Sequence, residues 1–480
     1  MMTVPKRTRL VLVAVLRVAL VAIFLLVVDV APLSHHVSSW LSSGEQAEFK
    51  GDYQAAQVSY GRVLERLGPS AEIYERLVKL SLNAEQYDAA RVYLYALAGR
   101  DGWNSARREQ LRFILEQLGE TDQVAALLHR SLEENPTSPR VLLSLAHYQI
   151  GQLDWENARL TLETLLARQP DHPRATYLLG LLLAPTDSSL ARYYLQQVID
   201  DPEFASDAQA VLATLDVYGQ YSLTNAHTYL GITLVGLGQW PFAERAFELA
   251  LEANSVNPTA LAYVGFTRDQ QGRDGLPDIE AALAMSPNDP TLYYLLGLHW
   301  RLADDHAAAY DAFVQAYWLA PTNPALAAEV GTSLQNLRDL DAAEEWFSKA
   351  VTLAPDDIQW RRLQAAFYAD TGYALGTGGL EFIQQTHELA PDDLHVWTSL
   401  GWAYYQLDDV TKAFEELNAV IGKNPADPRS RYYFAVVLER RGDKDGAADS
   451  YWYVLQQLGP DSSFGVLAAR ALRRLGYAAS

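Results

Sequence analysis

The 480-residue sequence contains no cysteine. Disulfide frameworks, thiolate zinc sites, iron–sulfur clusters, cysteine nucleophiles and lipidated cysteines are excluded together. Basic charge is also scarce. Against 59 Asp and Glu stand only 38 Lys and Arg, giving a net charge of −21 and a pI near 4.9. Such a chain lacks the basic footprint that phosphate backbones require, which argues against nucleic acid as a partner. Catalytic signatures are missing too: there is no HExxH, no GxxxxGK[ST] and no GxSxG. The ten histidines are scattered, and the adjacent His35-His36 offers too few ligands for a metal, so the pair reads as linker. Gly376-Thr377-Gly378-Gly379 has no preceding strand and no following lysine, and reads as a turn rather than a phosphate cradle. Neither an enzyme, nor a cofactor, nor a metal is expected. Apolar residues, by contrast, are plentiful: 49 % are hydrophobic and 20 % charged, which excludes wholesale disorder. Length alone predicts three or four domains.

Charge is unevenly spread. Lys6, Arg7, Arg9 and Arg17 precede every acid, and without them 34 cations face 59 acids, a net −25 over the rest. Residues 10–28 are apolar apart from Arg17. As a helix they span about 28 Å, close to the hydrocarbon thickness. Arg17 costs about 2.5–3.5 kcal/mol at the centre of a span, less if it snorkels toward the basic end. A cleaved signal peptide needs small residues before its cut, whereas Asp29 and Pro32 flank the only candidate, so an uncleaved anchor over residues 10–30 is preferred. No Lys or Arg follows until Lys50, so the positive-inside rule places residues 1–9 in the cytoplasm and the body outside it.

The body is periodic. A small residue inside an apolar stretch recurs at Ala146, Gly180, Gly231, Gly265, Gly297, Gly331, Ala365, Gly401 and Ala435, with gaps of 34, 51, 34, 32, 34, 34, 36 and 34. The gap of 51 is one and a half periods and predicts an extra helix near residues 205–217. Each period carries a second signature, such as Ala309, Phe313, Ala316 and Pro321, or Ala343, Phe347, Ala350 and Pro355. Apolar residues three and four apart put one stripe on each of two helices. The small residue lets the helices approach, the large one fills the space beyond, and proline stops the second helix. Gly51, Gly151, Gly238, Gly272, Gly372 and Gly442 fall at the intervening turns, where positive φ costs glycine little. The acid pairs Asp304-Asp305, Asp356-Asp357, Asp392-Asp393 and Asp408-Asp409 precede helices and read as caps rather than as a general acid and base.

This pattern resembles the tetratricopeptide repeat, a 34-residue helix–turn–helix unit. Trp397, Leu400, Gly401 and Tyr404 carry its first-helix signature, and Trp40, Gly44, Tyr53, Ala56 and Tyr60 mark a first unit. The units at 71–136 are degenerate, the one at 273–287 is two residues short, and Gly376–Gly379 lengthen another turn. The resemblance implies an all-α, right-handed α-solenoid of about 12 helix pairs behind a single N-terminal transmembrane helix. The expected map is a basic start (1–9), an anchor (10–30), a linker (31–36), an N-terminal arm (37–202), an extra helix (203–223), a C-terminal arm (224–460) and a capping helix with tail (461–480).

In this family the concave groove is lined mainly by first helices. Residues beside the small positions then become candidates for partner binding: Tyr177, Tyr229, Tyr263, Phe266, Tyr294, Arg362, Trp402, Tyr405, Tyr432 and Tyr433. Aromatics supply contact area at low entropy cost. The chaperone-binding subtype, which grips a peptide carboxylate with groove lysines, an asparagine and an arginine, is not expected, since the body has six lysines and most fall on second helices or turns. The expected function is that of a membrane-anchored, extracytoplasmic scaffold taking a peptide or helix of a protein partner in its groove. Alternatives are an accessory role in cell-envelope polysaccharide assembly or secretion, and regulation of an associated enzyme.

Overall fold

A computed structural model describes residues 36–48, 52–459 and 462–477. The expected anchor at 10–30, His35 and Gly51 lie outside these residues. Among those described, all regular structure is helical, and no helix is long and apolar enough to cross a membrane. The helices alternate as first and second members of twelve pairs, from 36–48 with Tyr53–Leu67 to Pro428–Arg440 with Lys444–Leu458. A helix at Ala205–Tyr218 stands between the fifth and sixth pairs, and another, Ser463–Leu475, follows the twelfth. The architecture is an all-α helical-repeat solenoid. It divides into two compact units, Leu128–Arg441 and the residues up to Leu127 together with those from Gly442.

From Pro139–Gly151 to Leu394–Gln406 each first helix packs on its own second helix, and each second helix packs on the next first helix, except that Ser188–Gln196 packs on the inserted helix Ala205–Tyr218, which in turn packs on Leu223–Gly236. The core therefore runs as a string. One cluster joins Leu142, Ala146, Leu162, Gly180's neighbours Leu179 and Leu181, Leu195, Leu230 and Phe247; the next joins Ala262, Phe266, Ala282, Leu292 and Leu295. In the other unit, Tyr60, Val63, Leu77 and Leu80 form the core of the first pairs.

The close approach at the small positions is real. A Cβ added to Gly231 would lie 2.5 Å from Phe247, one on Gly297 2.5 Å from Phe313, and one on Gly401 2.7 Å from Leu417. The large residue sixteen positions later thus occupies the space a side chain would need. Phe247, Phe313 and Phe347 are almost wholly buried as a result.

The turns repeat with the same register. Positive φ occurs at Glu85, Gly119, Leu153, Gly238, Gly272, Asp304, Arg338, Gly372, Asp408 and Gly442. Glycine at Gly238, Gly272, Gly372 and Gly442 meets the expectation. Gly151 does not: it ends the helix Pro139–Gly151, and Leu153 takes the left-handed conformation two residues later. The helix caps also settle the acid pairs. Asp305 accepts from the Ala308 N–H at 3.0 Å, Asp357 from Gln359 at 3.1 Å, Asp393 from His395 at 3.0 Å and Asp409 from Lys412 at 3.1 Å. Each carboxylate satisfies a helix N–H that has no intrahelical partner.

Two repeats depart from the rule. In the short one, Gly265 and Gly275 pack backbone to backbone, and a Cβ on Gly275 would sit 2.0 Å from the Gly265 carbonyl oxygen. Buried Asp269 accepts the Gly275 N–H at 2.8 Å and faces His299 Nδ1 at 2.8 Å, fixing the loop to the next repeat. In the long one, residues Leu375–Gly379 form a single π turn ahead of the helix Leu380–Leu389.

Candidate functional site

The ten candidate residues do not share one environment. Tyr177, Phe266 and Tyr433 are buried, at 3 %, 8 % and 6 % exposure, so their rings pack between helices instead of facing solvent. Tyr177 stacks on Phe204 at 4.8 Å, and its hydroxyl donates to Asp207 at 3.0 Å. The inserted helix Ala205–Tyr218 carries Asp207 and begins directly after Phe204, so it covers this part of the first-helix surface. Phe266 meets the edges of Trp240 and Tyr263. Tyr263 is half-buried and stacks on Phe247 at 4.9 Å, which makes it a contact between repeats. Tyr229 is exposed, with Tyr221 at 4.8 Å. Tyr294 is half-buried against Phe313 and lines a recess of about 260 Å³ with Pro290, Asn323 and Leu326.

The other candidates gather on three consecutive first helices, Ile358–Thr371, Leu394–Gln406 and Pro428–Arg440. Trp402 stacks on Tyr433 at 4.2 Å and on Tyr405 at 4.8 Å, with interplanar angles of 13° in both cases. Tyr432 meets the edge of Tyr433. Trp402, Tyr405 and Tyr432 remain half-buried, so part of each ring stays accessible. Charged groups hold this aromatic cluster in place. The Tyr433 hydroxyl donates to Asp370 at 2.9 Å, and Arg429 Nη2 reaches the same carboxylate at 2.8 and 3.0 Å. Burial, reinforced by the Asp370 charge, pushes the Tyr433 hydroxyl well above the usual tyrosine range. Arg362 donates through Nε to Asp393 at 2.7 Å, and Asp393 is itself the cap of the next first helix. Ion pairs therefore tie the helix Ile358–Thr371 to both following first helices.

Beside this cluster lies a recess of about 350 Å³ lined by Gln359, Trp360, Arg362, Leu363, Ala366, His395, Ser399 and Arg429. Of these only Arg362 stood out in the sequence. A signal for the rest exists. Gln359, His395 and Arg429 each lie six residues before the small position of their own repeat, at Ala365, Gly401 and Ala435. A shared position in consecutive repeats puts three polar side chains in one row.

The family description "Tetratricopeptide repeat" matches residues 115–182, 266–324, 328–357 and 398–463. Tetratricopeptide repeats therefore build these segments. The chain is similar to the BBSome complex member BBS4 of Bos taurus, with 22 % identity over 246 residues. That match covers 50 % of this chain and 47 % of the relative, so the chain spans about half the length of the relative it matches. Among solved structures, it is similar to yeast Tom70 (14 % identity, TM-score 0.42), covering 85 % of this chain and 95 % of that one. It is also similar to the APC/C hetero-tetramer Cut9-Hcn1, at 14 % identity and TM-score 0.42 over 92 % and 96 % of the two chains. Naa15/Naa10 bound to HypK-THB follows at 12 % identity and TM-score 0.39, over 91 % and 85 %.

Proposed function

We propose that this chain is a non-enzymatic scaffold, tethered by residues 10–30 and facing away from the cytoplasm, that holds a protein partner of a membrane or envelope complex. The observation that carries the reading is the cluster of half-buried aromatics on three consecutive first helices, Trp402, Tyr405 and Tyr432. Repeat scaffolds present extended surfaces, and their partners lay a strand or helix along them. Rigid aromatic rings with one accessible side are the residue type that anchors such contacts. The basic start and the apolar run at 10–28 support the tether and its orientation. The test is recovery of a stoichiometric partner from native membranes by the full-length chain. Trp402→Ala combined with Tyr432→Ala should abolish recovery while the protein stays in the membrane fraction after alkaline extraction. Undiminished recovery rejects the surface, and release by alkali rejects the tether.

A further inference from the structure

We infer that the exposed face of the helix Leu223–Gly236, with the turn before it, pairs two copies of this chain through a two-fold contact. No Asp, Glu, Lys or Arg occurs over residues 217–243, the longest uncharged run in a chain that carries 59 acids and 38 bases. The run takes in the end of the inserted helix Ala205–Tyr218, the following turn and the whole helix Leu223–Gly236. A stretch without charge is ordinarily a buried one. Here Val217, Tyr221, Leu223, Tyr229 and Ile232 are all between 36 % and 60 % exposed. Asn225, Tyr229 and Ile232 follow one another at four and three residues and so share one helix face. The Tyr221 ring lies against Tyr229 at 4.8 Å, which joins the turn to that face. The support beneath is rigid: Thr214 and Thr233 share a hydrogen bond of 2.8 Å between the two helices, and the Tyr218 hydroxyl meets Nδ1 of buried His227. Asn257, ahead of the next first helix, donates to Thr228 at 3.2 Å. A surface ordered in advance loses little entropy on association.

Charge and symmetry select the occupant. Beyond the basic start the chain carries a net −25, so two copies that meet across most of their surface bring like charges together. Residues 217–243 let them approach without that repulsion. In a two-fold contact each surface faces its own image. Groups that only donate or only accept then meet their own kind, whereas hydroxyls and amides do both. The exposed polar side chains of the turn and helix start, Gln220, Ser222 and Asn225, are all of this self-complementary type. Tyrosines without charge are also what the centre of an interface is made of. The cluster at Trp402 differs, because Arg429 and Asp370 border it and a two-fold there would oppose like charges. One helix face and a turn fall short of the roughly 20–30 residues a side of a standard interface, so the contact is reversible and concentration-dependent.

The test measures the protein mass of the full-length chain in detergent by sedimentation, over a series of about 1–100 μM. The mass should rise from 53.4 kDa toward twice that value. Tyr229→Asp sets acid against acid and should weaken association at least about tenfold, and Asn225→Lys should do the same with bases. Mixed in equal amounts, the two variants should associate again, because opposite charges then meet; a variant that merely misfolds would not recover. The mass of one chain at every concentration overturns the inference. Association that both substitutions leave unchanged places the contact elsewhere and also overturns it, as does a mixture that stays apart. The cysteine-free background gives a second measurement. Among Asn225→Cys, Tyr229→Cys and Ile232→Cys, made singly, at least one should form an inter-chain disulfide on mild oxidation, and Tyr193→Cys on the helix Ser188–Gln196 should not. Equal yields at all four positions, or none, contradict the pairing.

Discussion

Two places in the molecule are built from the same parts and end differently. At one, Tyr177 stacks on Phe204 and donates to Asp207. At the other, Tyr433 stacks on Trp402 and donates to Asp370. Both tyrosines sit on first helices next to the small position, and both are buried. The partners differ. Phe204 and Asp207 come from the inserted segment and are consumed in covering Tyr177. Trp402 and Asp370 come from neighbouring first helices, stay part-exposed, and border an open recess through Arg429. One motif closes a surface and the other presents it, and the inserted helix decides which.

The largest effect should separate the two directly. Phe204→Ala removes a ring that is 7 % exposed and should cost about 3–5 kcal/mol, read as lost hydrogen-exchange protection across residues 173–218. Trp402→Ala removes a half-buried ring, should cost about 1–2 kcal/mol, and should abolish partner recovery. If Trp402→Ala is as destabilising as Phe204→Ala, the second site is closed as well. Next come the acids. Asp207→Asn should cost about 1–2 kcal/mol in urea unfolding, because the bond from buried Tyr177 loses its charged acceptor. Asp370→Asn takes the charged acceptor from buried Tyr433 in the same way and weakens the pair with Arg429, so it should also cost about 1–2 kcal/mol.

Raising pH should affect both sites in the same sense. Burial first, and Asp207 or Asp370 second, hold the Tyr177 and Tyr433 hydroxyls above the ordinary tyrosine range in the folded chain. Stability linked to them is complete below about pH 10, the ordinary tyrosine value, and is lost as pH rises through the higher folded values. Tyr177→Phe and Tyr433→Phe should therefore lose stability less steeply than the parent above about pH 10. A parallel fall in all three proteins would show that neither hydroxyl is coupled to folding.

The smallest effect calibrates the repeats on either side. Leu153 and Asp408 hold the left-handed turn that glycine holds at Gly238 and Gly442. Leu153→Gly and Asp408→Gly should each gain about 0.5–1 kcal/mol, the left-handed penalty less the added chain entropy. A loss at either position would mean that its side chain contributes more than its backbone costs.

The repeat was legible because its cause is local. A glycine and the Phe or Leu sixteen residues later belong to one helix pair, and an aspartate caps a helix that begins at the next residue. The candidate surface was legible only in part. Tyr177 and Tyr433 occupy equivalent-looking places, and the difference between them comes from residues 204–207 in one case and from Asp370, 63 positions away, in the other. Arg429 escaped notice for the same reason: it meets Asp370 and lines the recess only when the first helices stand side by side.

Site-specific photo-crosslinking tests the central claim most directly. A benzophenone side chain placed at Tyr405 or Tyr432 on first helices, and at Tyr193 or Trp318 on second helices, samples both surfaces; the latter two are 60 % and 64 % exposed. In native membranes the first two positions should give an adduct with a single protein partner and the last two none. Adducts from Tyr193 or Trp318, with none from Tyr405 and Tyr432, would contradict the account.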